Sequence, residues 1–176
     1  MRTETYDSPL GGLVLAADVE GLAGAWFADQ RHYGEFGSVR NGLAGDLERP
    51  GNAGDGAQAR VLAQARAWLD AYFAGDNSSG LPPLHLMGTP FQQCVWQLLL
   101  EIPYGQTTTY GALARELEHR FGSRTSARAV GGAVGRNPVS IIVPCHRVLG
   151  ANGAITGYAG GVDRKRALLE LEGVRV

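Results

Sequence analysis

A thiol stands next to an imidazole at Cys145-His146, delivered by Ile141-Ile142-Val143-Pro144 and followed by Arg147-Val148. An unperturbed cysteine has a pKa near ~8.5 and only its thiolate is nucleophilic, so a cysteine that reacts at neutral pH needs a base or cation nearby. His146 can supply the base, directly or through a water, and Glu172 can orient the imidazole as an acidic third member. Neighbours in sequence need not face each other, so a non-catalytic dipeptide stands as the alternative. The other cysteine, Cys94, lies on an apolar helical face with Phe91, Val95, Leu98 and Leu99, and reads as a small buried hydrophobe. Two cysteines 51 residues apart make neither a disulfide framework nor a CxxC zinc clip. A reduced, cytoplasmic protein is the expectation.

The elements that must position this chemistry fall into two halves. Arg2–Asp7, Leu13–Asp18 and Leu22–Phe27 read as an antiparallel meander, turning at Ser8-Pro9-Leu10-Gly11-Gly12 and at Glu20-Gly21. Residues 31–56 read as a long exposed loop rich in Gly, Asp and Asn. Gln58–Phe73 shows helical spacing at Val61, Leu62, Ala65, Trp68, Leu69, Tyr72 and Phe73, closed by Gly75. Asp76–Pro83 has the composition of a boundary, which divides the chain into 1–82 and 83–176. The second half reads as helical. Thr89-Pro90 opens one helix and Pro103 stops it; Thr108 or Thr109 opens a second through Leu117; a third spans Ser126–Arg136 before Asn137-Pro138. Two short helices joined by a turn, the second bearing arginine, have the form of a helix-turn-helix. An Asp163-capped helix, Arg164–Glu172, ends at Gly173. The run Ile141–Val143 reads as strand-like.

With 176 residues and 44% hydrophobic content the chain can bury a sizeable core. No run approaches the roughly 18 apolar residues of a membrane span, and the start Met1-Arg2-Thr3-Glu4, with no apolar core behind it, is not expected to be a signal peptide. The net charge of −1 conceals an asymmetry: residues 1–88 carry six Arg/Lys against eleven Asp/Glu, residues 89–176 ten against six. The basic half suggests an anionic partner such as nucleic acid. Fifteen of the sixteen basic residues are arginine, which GC-rich coding also produces; Lys165 is the single lysine.

Pro144-Cys145-His146-Arg147-Val148 resembles the active-site signature of the O6-alkylguanine-DNA alkyltransferases, the methylated-DNA–protein-cysteine methyltransferases. The resemblance covers residues 89–173. Phe91-Gln92-Gln93, Ile102-Pro103-Tyr104-Gly105, Arg128-Ala129-Val130-Gly131, Asn137-Pro138, Gly157-Tyr158-Ala159-Gly160-Gly161 and Leu171-Glu172-Gly173 follow in the family's order. Before residue 89 the match is loose, through Ser8-Pro9-Leu10-Gly11 and Trp68–Gly75.

The resemblance implies an α/β chain: an N-terminal ribonuclease-H-like subdomain with a small antiparallel sheet, then a mostly helical subdomain with a winged-helix-like helix-turn-helix. It implies that Cys145 accepts the alkyl group, that His146, polarised by Glu172, acts as base through a water, and that Asn137 joins the turn to the active-site strand through hydrogen bonds. Arg128 would replace the extrahelical base in the duplex, and Tyr110 would press the 3′ phosphate and bond the flipped base. Tyr158, with the backbone of Cys145, Val148 and Ala159, would line the guanine pocket. Ala127, Ala129, Gly131, Gly132 and Ala133 would let their helix approach the minor groove; close packing inside the protein is the competing reading of those small residues. Tyr110 equally fits a core position by its spacing with Leu113 and Leu117, Arg128 a solvated face, and Asn137 an ordinary helix C-terminus.

The implied substrate is O6-alkylguanine, and by extension O4-alkylthymine, in double-stranded DNA. A stacked base cannot present its O6 alkyl group, so the nucleotide must flip. Transfer to sulfur leaves a thioether with no carbonyl for water to attack, so each molecule acts once. No cofactor, metal or membrane is implied, and the protein would be a monomer, with clustering on DNA as a further option. No cysteine precedes Cys94, so His32 and His85 are not expected to hold zinc. Two rivals stand: a cysteine hydrolase using Cys145, His146 and Glu172, which would turn over, and a lesion-binding protein without transfer, disfavoured because the cysteine is present.

Overall fold

The computed structural model describes residues 1–35, 56–77, 80–122 and 124–176. Strands β1 (Arg2–Ser8), β2 (Gly11–Ala17) and β3 (Leu22–Phe27) form the expected antiparallel sheet in that order, with Tyr6 opposite Leu13 and Leu15 opposite Ala25. Helix α1 (Gly56–Phe73) lies against β1 and β2, and Gly75, at a φ of +81°, ends it in the left-handed conformation that a side chain would disfavour. Most of the 31–56 loop lies outside the described residues.

The C-terminal half is helical. Helix α2 (Pro90–Leu100) starts with a capping box: Thr89 Oγ1 accepts from Gln92 N, and the Gln92 side chain accepts from Thr89 N. Helix α3 (Tyr110–Phe121) is capped by Thr109 and runs one turn beyond Leu117, stopping where Gly122 turns left-handed. Helix α4 (Ala127–Gly135) is capped by Ser126. Two-residue strands β4 (Thr108–Thr109) and β5 (Val148–Leu149) pair in parallel and bind the start of α3 to the segment after Cys145. Helix α5 (Val162–Leu171) closes the chain.

Two local expectations are corrected. Asp163 does not cap α5: Gly161 occupies that place without a side-chain bond, and Asp163 sits in the first turn, where its charge still suits the helix N-terminus. Residues 140–143 are not a strand but a compact turn leading into a single 3-10 turn at Cys145–Arg147.

One core unites the halves, drawing Leu15, Phe27, Leu62 and Leu69 together with Trp96, Leu99, Leu117 and Val143. Trp96 Nε1 donates to Ala133 O at 2.9 Å, tying α2 to α4, and a Cβ on Gly88 would lie 2.5 Å from the Trp96 ring. The β3 edge touches the site directly: Ala25 N donates to Pro138 O and Ser140 N to Ala25 O, at 2.9 and 2.8 Å. Among the described residues, no helix is long and apolar enough to cross a membrane.

Candidate active site

One side chain, Asn137, bonds across the whole turn from α4 to Cys145. Asn137 Nδ2 donates to Val139 O at 3.2 Å, Val143 O at 2.8 Å and Cys145 Sγ at 3.1 Å, and its Oδ1 accepts from Val139 N at 3.0 Å. Within that turn Ile141 takes a φ of +71°, a conformation that strains a β-branched residue by about 1–3 kcal/mol and persists only where the surroundings over-determine it. Asn137, the β3 edge and the bonds Ile142 N to Ser140 O and Val143 N to Val139 O supply that constraint.

Cys145 is 5% exposed. Burial pushes its thiol above the ordinary value, against the Asn137 bond and the positive charge of Lys165, so the thiol needs a base to ionise. His146 is fully buried beside it, with Nε2 2.7 Å from Glu172 Oε1; among the described residues Nδ1 has no hydrogen-bond partner. Burial holds the imidazole below its ordinary pKa and Glu172 pulls it up, so His146 is neutral and able to accept a proton near pH 7. Burial would raise the Glu172 carboxyl, yet the bonds and charges of His146 and Arg147 win and hold it at about 2. Arg147 Nε and Nη2 donate to its two oxygens at 2.8 and 2.9 Å, and Gly105 N donates to Oε2 at 3.1 Å.

In front of the thiol lies an open cavity of about 510 Å³. Of the residues singled out in sequence, Cys145, Tyr110, Tyr158, Ala159 and Gly131 line it. Asn137, His146 and Glu172 are buried and do not line it, and Asn137 bonds the Cys145 sulfur. Val148 is not on the cavity wall: it is fully buried and its carbonyl accepts from Lys165 Nζ. Ala127, Arg128 and Ala129 stand exposed on α4, with Gly132 on open space, so internal packing does not explain those small residues, whereas Ala133 on the same helix is buried against Trp96. Tyr110 is half-buried at the first position of α3; its hydroxyl lies 3.5 Å from Gly157 O and burial raises its pKa.

Sequence reasoning missed several members. Lys165 is fully buried, donates to Val148 O and Thr156 O, and is lowered by burial to about 8. Its signal was being the single lysine in an arginine-rich chain. Arg31 and Arg136 line the cavity, and Arg31 N bonds Ala159 O at 2.9 Å. Tyr72 reaches Glu172 from α1 with nothing in its local sequence to mark it. Cys94, read as buried, is half-buried at the core's margin. No group of three or more His, Cys, Asp and Glu side chains among the described residues is arranged to hold a metal.

Residues 1–86 match the ribonuclease-like domain model of 6-O-methylguanine DNA methyltransferase, and residues 90–174 match the DNA-binding domain model of the same family. A methylated-DNA–protein-cysteine methyltransferase of Mycobacterium leprae is 44% identical over 172 residues, 98% of this chain and 92% of that protein. One from Methanosarcina acetivorans is 43% identical over 96% of each chain. The crystal structure of Mycobacterium tuberculosis OGT in complex with DNA superposes with a TM-score of 0.74 at 43% identity, covering 98% of this chain and 92% of that one. The O6-methylguanine-DNA methyltransferase of Pyrococcus kodakaraensis gives 0.64 at 30% identity, covering 98% and 99%.

Proposed function

From the premise that the chain belongs to the 6-O-methylguanine DNA methyltransferase family, we propose that Cys145 is its alkyl acceptor in the direct reversal of DNA damage. The chain is a methylated-DNA–protein-cysteine methyltransferase and a DNA-binding protein. Its substrate is O6-alkylguanine in double-stranded DNA, with O4-alkylthymine as a second lesion, and it acts as a cytoplasmic monomer. Residues 1–82 form the α/β subdomain and 83–176 the DNA-binding and acceptor subdomain, a division that the matches to 1–86 and 90–174 support.

The observation that carries the mechanism is that Cys145 opens on a cavity while the next residue, His146, is paired with a buried carboxylate. The flipped base enters past Tyr110 and Tyr158, and Arg128 fills the gap it leaves in the stack. His146 Nδ1 takes the thiol proton through a water. The thiolate attacks the alkyl carbon, forming the C–S bond as the C–O6 bond breaks. Guanine leaves with the electron pair and takes a proton from Tyr110. Asn137 Nδ2, 3.1 Å from Sγ, stabilises the developing thiolate. No water can cleave the thioether, so one alkyl group consumes one molecule.

The test is intact mass after incubation with O6-methylguanine DNA. One added methyl group is expected on the peptide containing Cys145 and none on Cys94. Product formation well beyond one equivalent would overturn single-use transfer in favour of a hydrolase.

A further inference from the structure

The N-terminal half reaches the acid–base pair through one hydroxyl. Tyr72, in the last turn of α1, is 1% exposed, and its Oη donates to Glu172 Oε1 at 2.7 Å. The same carboxylate oxygen lies 2.7 Å from His146 Nε2, and Tyr72 Oη stands 3.4 Å from that nitrogen. An ionised carboxylate can only accept, so Nε2 and the phenol must each bring a proton to Oε1. That arrangement places the proton of neutral His146 on Nε2 and leaves the lone pair on Nδ1, the buried nitrogen without a partner among the described residues. The phenol has little freedom to turn away. Trp68 stacks on its ring at 5.3 Å, and Phe73, Tyr104 and His146 meet it edge-on at 5.4, 6.0 and 6.4 Å.

We propose that Tyr72 is a positioning residue for alkyl transfer: by sharing Glu172 Oε1 with His146 Nε2, it sets the imidazole tautomer and tempers its basicity. The proposal rests on His146 being the base. A second donor on Oε1 withdraws negative charge from the oxygen that would otherwise hold the imidazolium more tightly. The other groups facing the pair are Arg147, which holds both Glu172 oxygens, the Lys165 ammonium, Cys145 itself, and Tyr104 beneath the Arg147 guanidinium at 5.8 Å. Arg147 and Lys165 disfavour the imidazolium and Glu172 favours it; Tyr72 weakens Glu172's pull without adding a charge. The N-terminal half thus tunes chemistry whose reacting residues all lie in the C-terminal half.

The experiment compares the full chain with Tyr72→Phe, which keeps the ring and removes one oxygen. Two quantities are followed against pH: single-turnover transfer from O6-benzylguanine, and the His146 ring by nitrogen NMR. The His146 midpoint is expected to rise in the variant, and the acid limb of the rate profile to move with it. Transfer at the acid end should then fall about three- to tenfold, with the high-pH plateau within about twofold of the parent. A packing role alone would scale the whole profile and leave its midpoint in place, which would overturn the proposal, as would an unmoved His146 titration. A shifted titration with an unmoved rate profile would support the coupling and overturn His146 as the base. The parent protein gives a further check that no folding defect can confuse: His146 protonated on Nδ1 rather than Nε2 overturns the proposal outright.

Discussion

The exposed face of α4 and the buried cluster around Glu172 are built on opposite principles. On α4, Ala127, Arg128, Ala129 and Gly132 face open space, and among the described residues Arg128 has no ion-pair partner. Around Glu172, both carboxylate oxygens are occupied by donors from α1, from the loop after α2 and from the Cys145–Arg147 turn. An unsatisfied exposed face spends its interactions on a partner that arrives. A satisfied buried cluster spends them on folding and on holding a proton acceptor ready. Changes on α4 should therefore damage DNA handling with little loss of stability, and changes at Glu172 should damage both stability and chemistry.

The largest effect should come from the residue that both regions serve. Cys145→Ser is expected to abolish transfer, because a hydroxyl is far harder to ionise, while duplex binding measured by anisotropy stays near that of the parent. Measurable repair by this variant would remove Cys145 from its role.

Glu172→Gln should then cost about 3–5 kcal/mol of stability in urea unfolding, the usual result of stripping the partner from a buried charge, here Arg147. The pH dependence carries the sign. The folded carboxyl titrates at about 2, below the ~4.3 of an unfolded glutamate, so its stabilisation is complete above the unfolded value and is lost as pH falls toward 2. The parent should lose stability steeply across that window, and Glu172→Gln should show a shallower slope. Equal slopes would dissolve the contrast between the two regions.

Arg128→Ala should slow duplex repair by roughly 10–100-fold, the equivalent of a few kcal/mol of unstacking left uncompensated. Free O6-benzylguanine needs no flipping and should react with Cys145 at nearly the parent rate. Equal losses on both substrates would place Arg128 with the folding residues rather than the DNA face.

The smallest effect sharpens the comparison by its sign. Gly132 lies inside α4 with nothing within 4 Å of a Cβ placed on it. Gly132→Ala should raise stability by about 1 kcal/mol through helix propensity and at the same time weaken duplex affinity by crowding the DNA-facing backbone. A gain in affinity would argue against close approach of this helix.

Much of the scaffold was legible locally because its signals are local. Thr89-Pro90, Thr109 and Ser126 mark helix starts through side-chain oxygens that accept from backbone amides within the first turn, and Gly75 and Gly173 mark ends through positive φ. The turn at 140–143 was not legible. Ile141-Ile142-Val143 carries strong strand preference, and what overrides it is Asn137's amide on two carbonyls together with the edge of a strand more than a hundred residues earlier. Asp163 misled for a smaller reason: a residue type suited to capping stood two positions inside a helix that Gly161 begins.

By itself the sequence determined the three-stranded sheet and the helices, the family signature around Cys145, and the three groups, Cys145, His146 and Glu172, whose chemistry the site uses. Each of these depends on residue type and short spacing. Only the tertiary structure decided which nitrogen of His146 faces Glu172, that Tyr72 crosses from α1 to the same oxygen, that Lys165 is buried beneath Val148, and that Arg128 is left outside. Those outcomes depend on burial and on contacts between residues as many as a hundred positions apart. A charge or hydroxyl acquires its pKa and its partner from the packed surroundings, which no local stretch of chain contains.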